Sequence, residues 1–137
     1  MKKLSLSVTD NIDYHGFAIV SPEKDYRLCF EINKAMGYAL EKSKTLVVID
    51  SKIKTANEFS AFFYDDPDNK CSHYVVKNLQ DNARLLPSMK EADYIYIVSG
   101  NIKLKTLHEI KTSFATIRNI QSIFVLKNEY IKHINLD

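Results

Sequence analysis

Short apolar runs, separated by polar turn residues, constrain the fold of this chain more than any other feature of its sequence. Leu4, Leu6 and Val8 alternate with hydroxyl residues, a period-two pattern typical of a strand with one solvent-facing side. The other runs have the length of strands, and they predict strands at 17–20, 46–49, 59–64, 72–77, 93–98 and 123–126. The polar stretch 65–69 contains a proline and predicts a hairpin turn between two of these strands.

Two other segments have the periodicity of amphipathic helices. The Ser-Pro-Glu segment 21–23 suits the start of a helix that runs to about Met36 and stops at Gly37. A second helix is predicted from the capping box at 106–109 to about Arg118. The residues expected to face the core are Leu28, Cys29, Ile32, Ala35 and Met36 in the first helix and Leu107, Ile110, Phe114 and Ile117 in the second.

Together these elements predict a single α+β domain spanning residues 1–137, with a mostly antiparallel sheet of about six or seven strands and two helices packed on it. The final strand, helix and strand predict a right-handed crossover between parallel neighbours. Residues 85–92 predict a short helical turn, and residues 127–137 predict a docking tail.

The amino-acid composition indicates which class of protein to expect. Apolar residues make up 45% of the chain and charged residues 26%, a balance that predicts a folded protein. The longest uncharged stretches have nine residues, against roughly 20 apolar residues in a membrane span, and the start lacks the apolar region of a signal peptide. Because the two cysteines also fit reduced thiols, we expect a soluble, cytoplasmic protein.

Common catalytic signatures do not occur in the sequence. The chain has only 3 glycines, with no Gly-rich phosphate loop, no nucleophile elbow and no metalloprotease pair of histidines. No local signature supports a cysteine and histidine pair as a nucleophile and its base. We therefore expect a protein that is not an enzyme and uses no cofactor.

Cys71 and His73 lie two residues apart on a predicted strand, so their side chains point to the same face. His15 and Cys29 are available to complete a tetrahedral ligand set, but the spacing departs from that of zinc motifs, so no metal site is predicted. The acidic turn lacks the glycine and glutamate of a calcium loop. A solvated hairpin tip is predicted instead for Asp65, Asp66, Asp68 and Asn69.

The first helix carries a second stripe away from its core face. Tyr26, Phe30 and Asn33 lie about 100 to 160 degrees from that face on a helical projection. Either another part of the same chain covers these rings, or they form a dimer or partner surface. Without catalytic signatures, we expect a protein that acts through protein-protein contacts, as an adaptor or a homodimer, using this stripe.

The charge distribution supports one alternative function. Residues 69–137 carry 10 basic and 6 acidic side chains, a net charge of +4. The basic residues along or just before the second helix are Lys103, Lys105, Lys111 and Arg118. They make a nucleic-acid binding module, with RNA as the ligand, the alternative prediction.

Two segments, 25–37 and 86–94, resemble the corresponding segments of the bacterial IPExxxVDY family. Pro87, Asp93 and Tyr94 match the motif that names the family, Leu86 is a conservative change, and Ser88 stands at the glutamate position. The resemblance implies a small cytosolic protein without an assigned activity. The missing glutamate favours a structural role, in which Pro87 opens a turn and Asp93 with Tyr94 anchors the start of a strand.

Overall fold

The computed structural model describes residues 14–50, 55–80, 83–127 and 131 of the chain. The helices within these residues are α1 (Asp25–Met36) and α2 (Leu104–Ala115). The strands, in chain order, are β1 (Tyr14–Val20), β2 (Glu41–Asp50), β3 (Thr55–Asp66), β4 (Cys71–Lys77), β5 (Leu79–Gln80), β6 (Ala83–Arg84), β7 (Tyr94–Gly100) and β8 (Ser122–Leu126). The strand predicted at residues 4–9 lies outside the described residues.

Six of the strands form one sheet in the order β2-β3-β4-β7-β1-β8, and every neighbouring pair is antiparallel. The strands β5 and β6 form a separate two-stranded antiparallel sheet. The predicted α+β architecture is therefore confirmed. The predicted crossover between parallel neighbours is wrong, because β7 and β8 lie on opposite edges of β1. Phe17 of β1 pairs with Tyr96 on one side and Val125 on the other, so α2 crosses over one intervening strand.

Both helices pack on one face of the sheet. Leu28, Cys29 and Ile32 of α1 are buried there, as are Leu107, Ile110 and Phe114 of α2, which confirms most of the two predicted core stripes. Ala35 is an exception, because it is exposed. The sheet contributes inward-facing residues at alternate positions, as period-two geometry requires. These include Phe17, Ile19, Val75, Tyr94, Tyr96 and Val98.

The helix starts differ from the predictions. The N-cap of α1 is Lys24, three residues after the predicted Ser21, whose side-chain oxygen accepts from the Glu23 N–H at 3.2 Å before the helix begins. The N-cap of α2 is Lys103, so the predicted capping box lies inside the helix. The end of α1 agrees with the prediction, since Gly37 has φ +71° and its N–H donates to the Asn33 carbonyl at 2.8 Å. Within the described residues, neither helix has the length and apolar character to cross a membrane.

The second face of the sheet is covered by the segment between β4 and β7. Its residues Leu85, Leu86 and Ala92 are buried against sheet residues that include Phe59 and Ile95. The segment forms successive turns, closed by N–H groups of Met89 and Ala92 that donate to carbonyls three residues earlier. Ile131, in the region predicted to dock, is also buried in this cluster.

Candidate functional site

The aromatic surface, which we define as Tyr26 and Phe30, lies on the exposed side of α1. The two rings are four residues apart, on one face of the helix, and are 60% and 54% exposed. The Arg27 guanidinium lies 5.3 Å from the centroid of the Phe30 ring and pairs with Glu31 at 3.2 Å. The aromatic surface is therefore an exposed patch in which the Phe30 ring lies beside the charged side chains of Arg27 and Glu31.

Asn33, the third residue of the predicted contact stripe, is engaged within the chain. Its side-chain oxygen accepts a hydrogen bond from the Leu40 N–H at 2.9 Å, and its amide nitrogen donates to the Leu40 carbonyl at 3.2 Å. This reciprocal pair closes the turn after α1. The structure therefore places Asn33 in a structural role and leaves the two rings as the exposed surface.

The segment 86–94 is tied to the rest of the fold at its end. The Asp93 carboxylate accepts from the Ser21 N–H, while the Asp93 N–H donates to the Ile19 carbonyl at 2.8 Å. The Tyr94 hydroxyl donates to the Glu23 carbonyl just before α1, and burial raises the Tyr94 pKa, with a smaller effect from the Asp25 carboxylate. Asp93 and Tyr94 thus hold the start of β7 against Ser21 and Glu23, which lie between β1 and α1.

The other family-motif residues sit on the turns of the same segment. Leu86 is buried in the second-face cluster, and Pro87 is exposed beside it. Asn78, which sequence reasoning missed, organises these turns from the end of β4. Its side chain accepts from the Leu86 N–H at 2.8 Å and donates to the carbonyls of Met89 and Ala92, each at 3.0 Å.

A groove runs along α2 where the helix overlies β8, the last strand of the sheet among the described residues. Two adjoining cavities of about 510 and 540 Å³ share His108 and Lys111 as lining residues, and together they form what we call the α2–β8 groove. One end is lined by Leu107 and Val125, and the other by Phe124. Val125 is 65% exposed and Phe124 45% exposed, so the groove presents apolar surface to solvent.

The four basic residues of the alternative prediction are spread along α2. Lys103 and Lys105 are exposed at its start, Arg118 is exposed beyond its end, and Lys111 is half-buried. Of these four described residues, Lys111 lines the α2–β8 groove and the others do not.

A buried polar cluster lies at the end of the β3–β4 hairpin, on the face that carries the helices. Cys71 and His73 share this face, as predicted, and the Cys71 Sγ lies 3.5 Å from the His73 Nε2. The Asp66 Oδ2 lies 3.6 Å from the same nitrogen. Among the described residues, these three are the group of His, Cys, Asp or Glu side chains that converges, with all ligand atoms within 4.8 Å of one another.

The solvated tip predicted for the acidic turn is wrong for Asp66. This residue is 5% exposed, because β3 continues through it and directs its side chain to the same face as Tyr64 and, across the register, Cys71. Asn69 holds the carboxylate, with its side-chain amide donating to Oδ2 at 2.8 Å and its N–H donating to Oδ1 at 3.3 Å. Asp65, Asp68 and Asn69 are exposed, as predicted for a hairpin tip.

The two residues available to complete a ligand set with Cys71 and His73 lie elsewhere. His15 lines the α2–β8 groove, and Cys29 is buried on α1 in the core. The Tyr96 hydroxyl is hydrogen-bonded to the other ring nitrogen of His73, Nδ1, at 2.6 Å. Tyr96 shares one face of β7 with Tyr94 and Val98, and this spacing of two residues was the only sequence signal for its position.

Burial determines the protonation states of His73 and Cys71 in this cluster. It lowers the His73 pKa to about 4, with partial compensation from the Asp66 carboxylate. It raises the Cys71 pKa to about 11, with further contributions from Asp66 and Asp65. At neutral pH the imidazole is therefore neutral and the thiol protonated, whereas a nucleophilic cysteine is a thiolate beside an imidazolium. The arrangement is better suited to binding than to nucleophilic attack.

The chain matches no protein-family model, no curated protein and no solved structure. Its resemblance to the IPExxxVDY family stays a prediction from residues 25–37 and 86–94.

Proposed function

We propose that this chain is a non-catalytic, cytoplasmic protein that binds an extended, acidic segment of a partner protein in the α2–β8 groove. The observation that carries the proposal is the composition of the groove. Its walls are apolar at Leu107, Phe124 and Val125, and Lys111 stands where its two cavities join. None of the described residues that line either cavity is Asp or Glu.

The edge strand supports binding of an extended segment. Among the described residues, β8 pairs with β1 and forms the end of the six-stranded sheet. Unpaired backbone groups of an edge strand can accept a further strand, and side-chain pockets beside it then select alternate residues of that strand. The cavities under α2 provide such pockets next to β8.

Charge favours an acidic partner over a second copy of this chain. Two copies that met through this groove would bring Lys111 and Lys127 of each against the same cations of the other. An acidic segment would instead pair with these cations while its apolar side chains filled the cavities. The aromatic surface on α1 is a separate exposed patch, so variants there test whether binding depends on the groove.

The test is selection from a display library of random peptides about ten residues long, enough to span one strand. We expect enriched sequences that alternate apolar and acidic residues. Binding of a selected peptide, followed by fluorescence anisotropy, should weaken at least about tenfold in Lys111→Glu, since a charge reversal replaces attraction with repulsion. Lys105→Glu is the matched control, because it makes the same change on the exposed side of the same helix.

Three outcomes would contradict the proposal. One is that Lys105→Glu weakens binding as much as Lys111→Glu. Another is that Tyr26→Ala or Phe30→Ala abolishes binding while Lys111→Glu leaves it unchanged, which would move the contact to the aromatic surface. The third is that no peptide is enriched and single-stranded RNA binds in a salt-sensitive manner, which would favour the nucleic-acid alternative.

A further inference from the structure

The Asp66, Cys71 and His73 side chains offer one oxygen, one sulfur and one nitrogen ligand from two adjacent strands. All three residues are buried, and their ligand atoms lie within 4.8 Å of one another. This combination of imidazole, thiolate and carboxylate is the donor set that zinc accepts. We propose that these three residues form a zinc-binding site at the end of the β3–β4 hairpin.

Two of the three distances between ligand atoms fit one ion shared by these residues, and the third pair, Cys71 and Asp66, lies within 4.8 Å. With the usual bond lengths of about 2.0–2.3 Å, neighbouring ligand atoms around tetrahedral zinc are about 3.3–3.6 Å apart. The Cys71 Sγ and the Asp66 Oδ2 lie 3.5 and 3.6 Å from the His73 Nε2. The Asp66–His73 distance is too long for a strong hydrogen bond between nitrogen and oxygen, so the pair leaves the space that a bridging cation would use.

The surrounding groups orient the ligands. The Tyr96 hydroxyl lies 2.6 Å from the His73 Nδ1, so with the ring proton on Nδ1 the Nε2 lone pair faces Cys71 and Asp66. A hydrogen-bond partner on the second ring nitrogen is the usual arrangement of a metal-bound histidine. Asn69 holds the carboxylate of Asp66 in the same way, through its side-chain amide and its N–H.

Three protein ligands leave a fourth position for water. Binding would release the Cys71 proton to solvent and leave the sulfur as a thiolate on the ion. The ion would join the last residue of β3 to the first residue of β4, and so fix the hairpin. This proposal does not depend on the α2–β8 groove, which is lined by other residues.

Cobalt(II) is the probe, because it takes tetrahedral zinc sites and reports thiolate ligation by its absorption. Full-length protein freed of metal with a chelator should bind one cobalt ion per chain, with a sulfur-to-cobalt charge-transfer band that added zinc removes. Cys71→Ala should abolish this band. Cys29→Ala is the matched control, because it removes the other buried thiol and should leave the band intact.

Asn69→Ala keeps the test valid if Cys71→Ala fails to fold. Asn69 is exposed, and it contacts a ligand without being one, so its removal should weaken zinc affinity about tenfold or more while the fold is retained. Isothermal titration with zinc measures this change. The proposal is overturned if the wild-type protein shows no charge-transfer band, if the band survives in folded Cys71→Ala, or if Asn69→Ala binds zinc as tightly as the wild type.

Discussion

Replacing Asn78 with alanine removes the side chain that holds the covering segment of the second sheet face in place. Asn78 is fully buried, and its amide makes three hydrogen bonds, to the Leu86 N–H and to the carbonyls of Met89 and Ala92. The Met89 carbonyl keeps a partner in the variant, since it also accepts from the Ala92 N–H. The Leu86 N–H and the Ala92 carbonyl lose their hydrogen bonds to the Asn78 side chain.

Each buried backbone group left unsatisfied costs about 1–3 kcal/mol, so Asn78→Ala should lower the free energy of unfolding by about 2–6 kcal/mol. That is a large part of the roughly 5–15 kcal/mol that stabilises a typical domain. Urea unfolding followed by circular dichroism measures the loss by linear extrapolation. Asn101→Ala, at an exposed asparagine after β7, is the control and should change the value by less than about 0.5 kcal/mol.

Asn78→Asp should also destabilise the fold. This variant keeps one oxygen for the Leu86 N–H but presents a second oxygen to the two carbonyls, so it should destabilise the fold at least as much as alanine. A loss below about 1 kcal/mol in Asn78→Ala, or a near-native stability for Asn78→Asp, would refute the hydrogen-bond pattern as the source of stability.

Further predictions concern backbone geometry and a buried thiol. At Gly100, φ is +138° and an added Cβ would lie 2.7 Å from the Lys70 carbonyl oxygen, so Gly100→Ala should cost more than about 2 kcal/mol in urea unfolding. Gly37→Ala has positive φ but open space, and an equal or larger cost there would contradict the steric argument. Burial raises the Cys29 pKa, so the unfolded thiol ionises near pH 9.0 while the folded one stays protonated. Above that value this thiol should add about 1.4 kcal/mol per pH unit to the loss of stability, beside a separate contribution from Cys71, whose pKa is raised to about 11. A slope that is unchanged in Cys29→Ala would exclude Cys29 as a contributor.

The sequence predicted features that depend on neighbours along the chain. The stripe from Leu28 to Ile32 and the stop at Gly37 follow from helical spacing and from the conformational freedom of glycine. The helix starts were predicted less well. The Ser21 side chain accepts from the Glu23 N–H, and the N-cap of α1 lies three residues later at Lys24. The contact of the Ser21 N–H with Asp93 joins residues far apart in the chain, and no local pattern indicates it.

A period-two pattern does not predict strand order. It shows which side chains share a face of the sheet, but it does not show which strands lie next to each other. That is why β1 between β7 and β8 was not foreseen. In the candidate metal site, the shared face of Cys71 and His73 was predictable from their spacing. Asp66 was missed because aspartates around a proline indicate a turn, and its burial depends on the β3 register with Cys71.

The position of β1 between β7 and β8 has a consequence for folding during synthesis. This strand is made before β7 and β8, with which it pairs, and Ser21 just after it bonds to a residue 72 positions further along the chain. Such a sheet has high contact order, which slows folding because long loops must close before pairing contributes stability. The apolar surface of Phe17, Ala18 and Ile19 therefore stays without its sheet partners until most of the chain has left the ribosome, and in that interval it is prone to bind a chaperone or to aggregate.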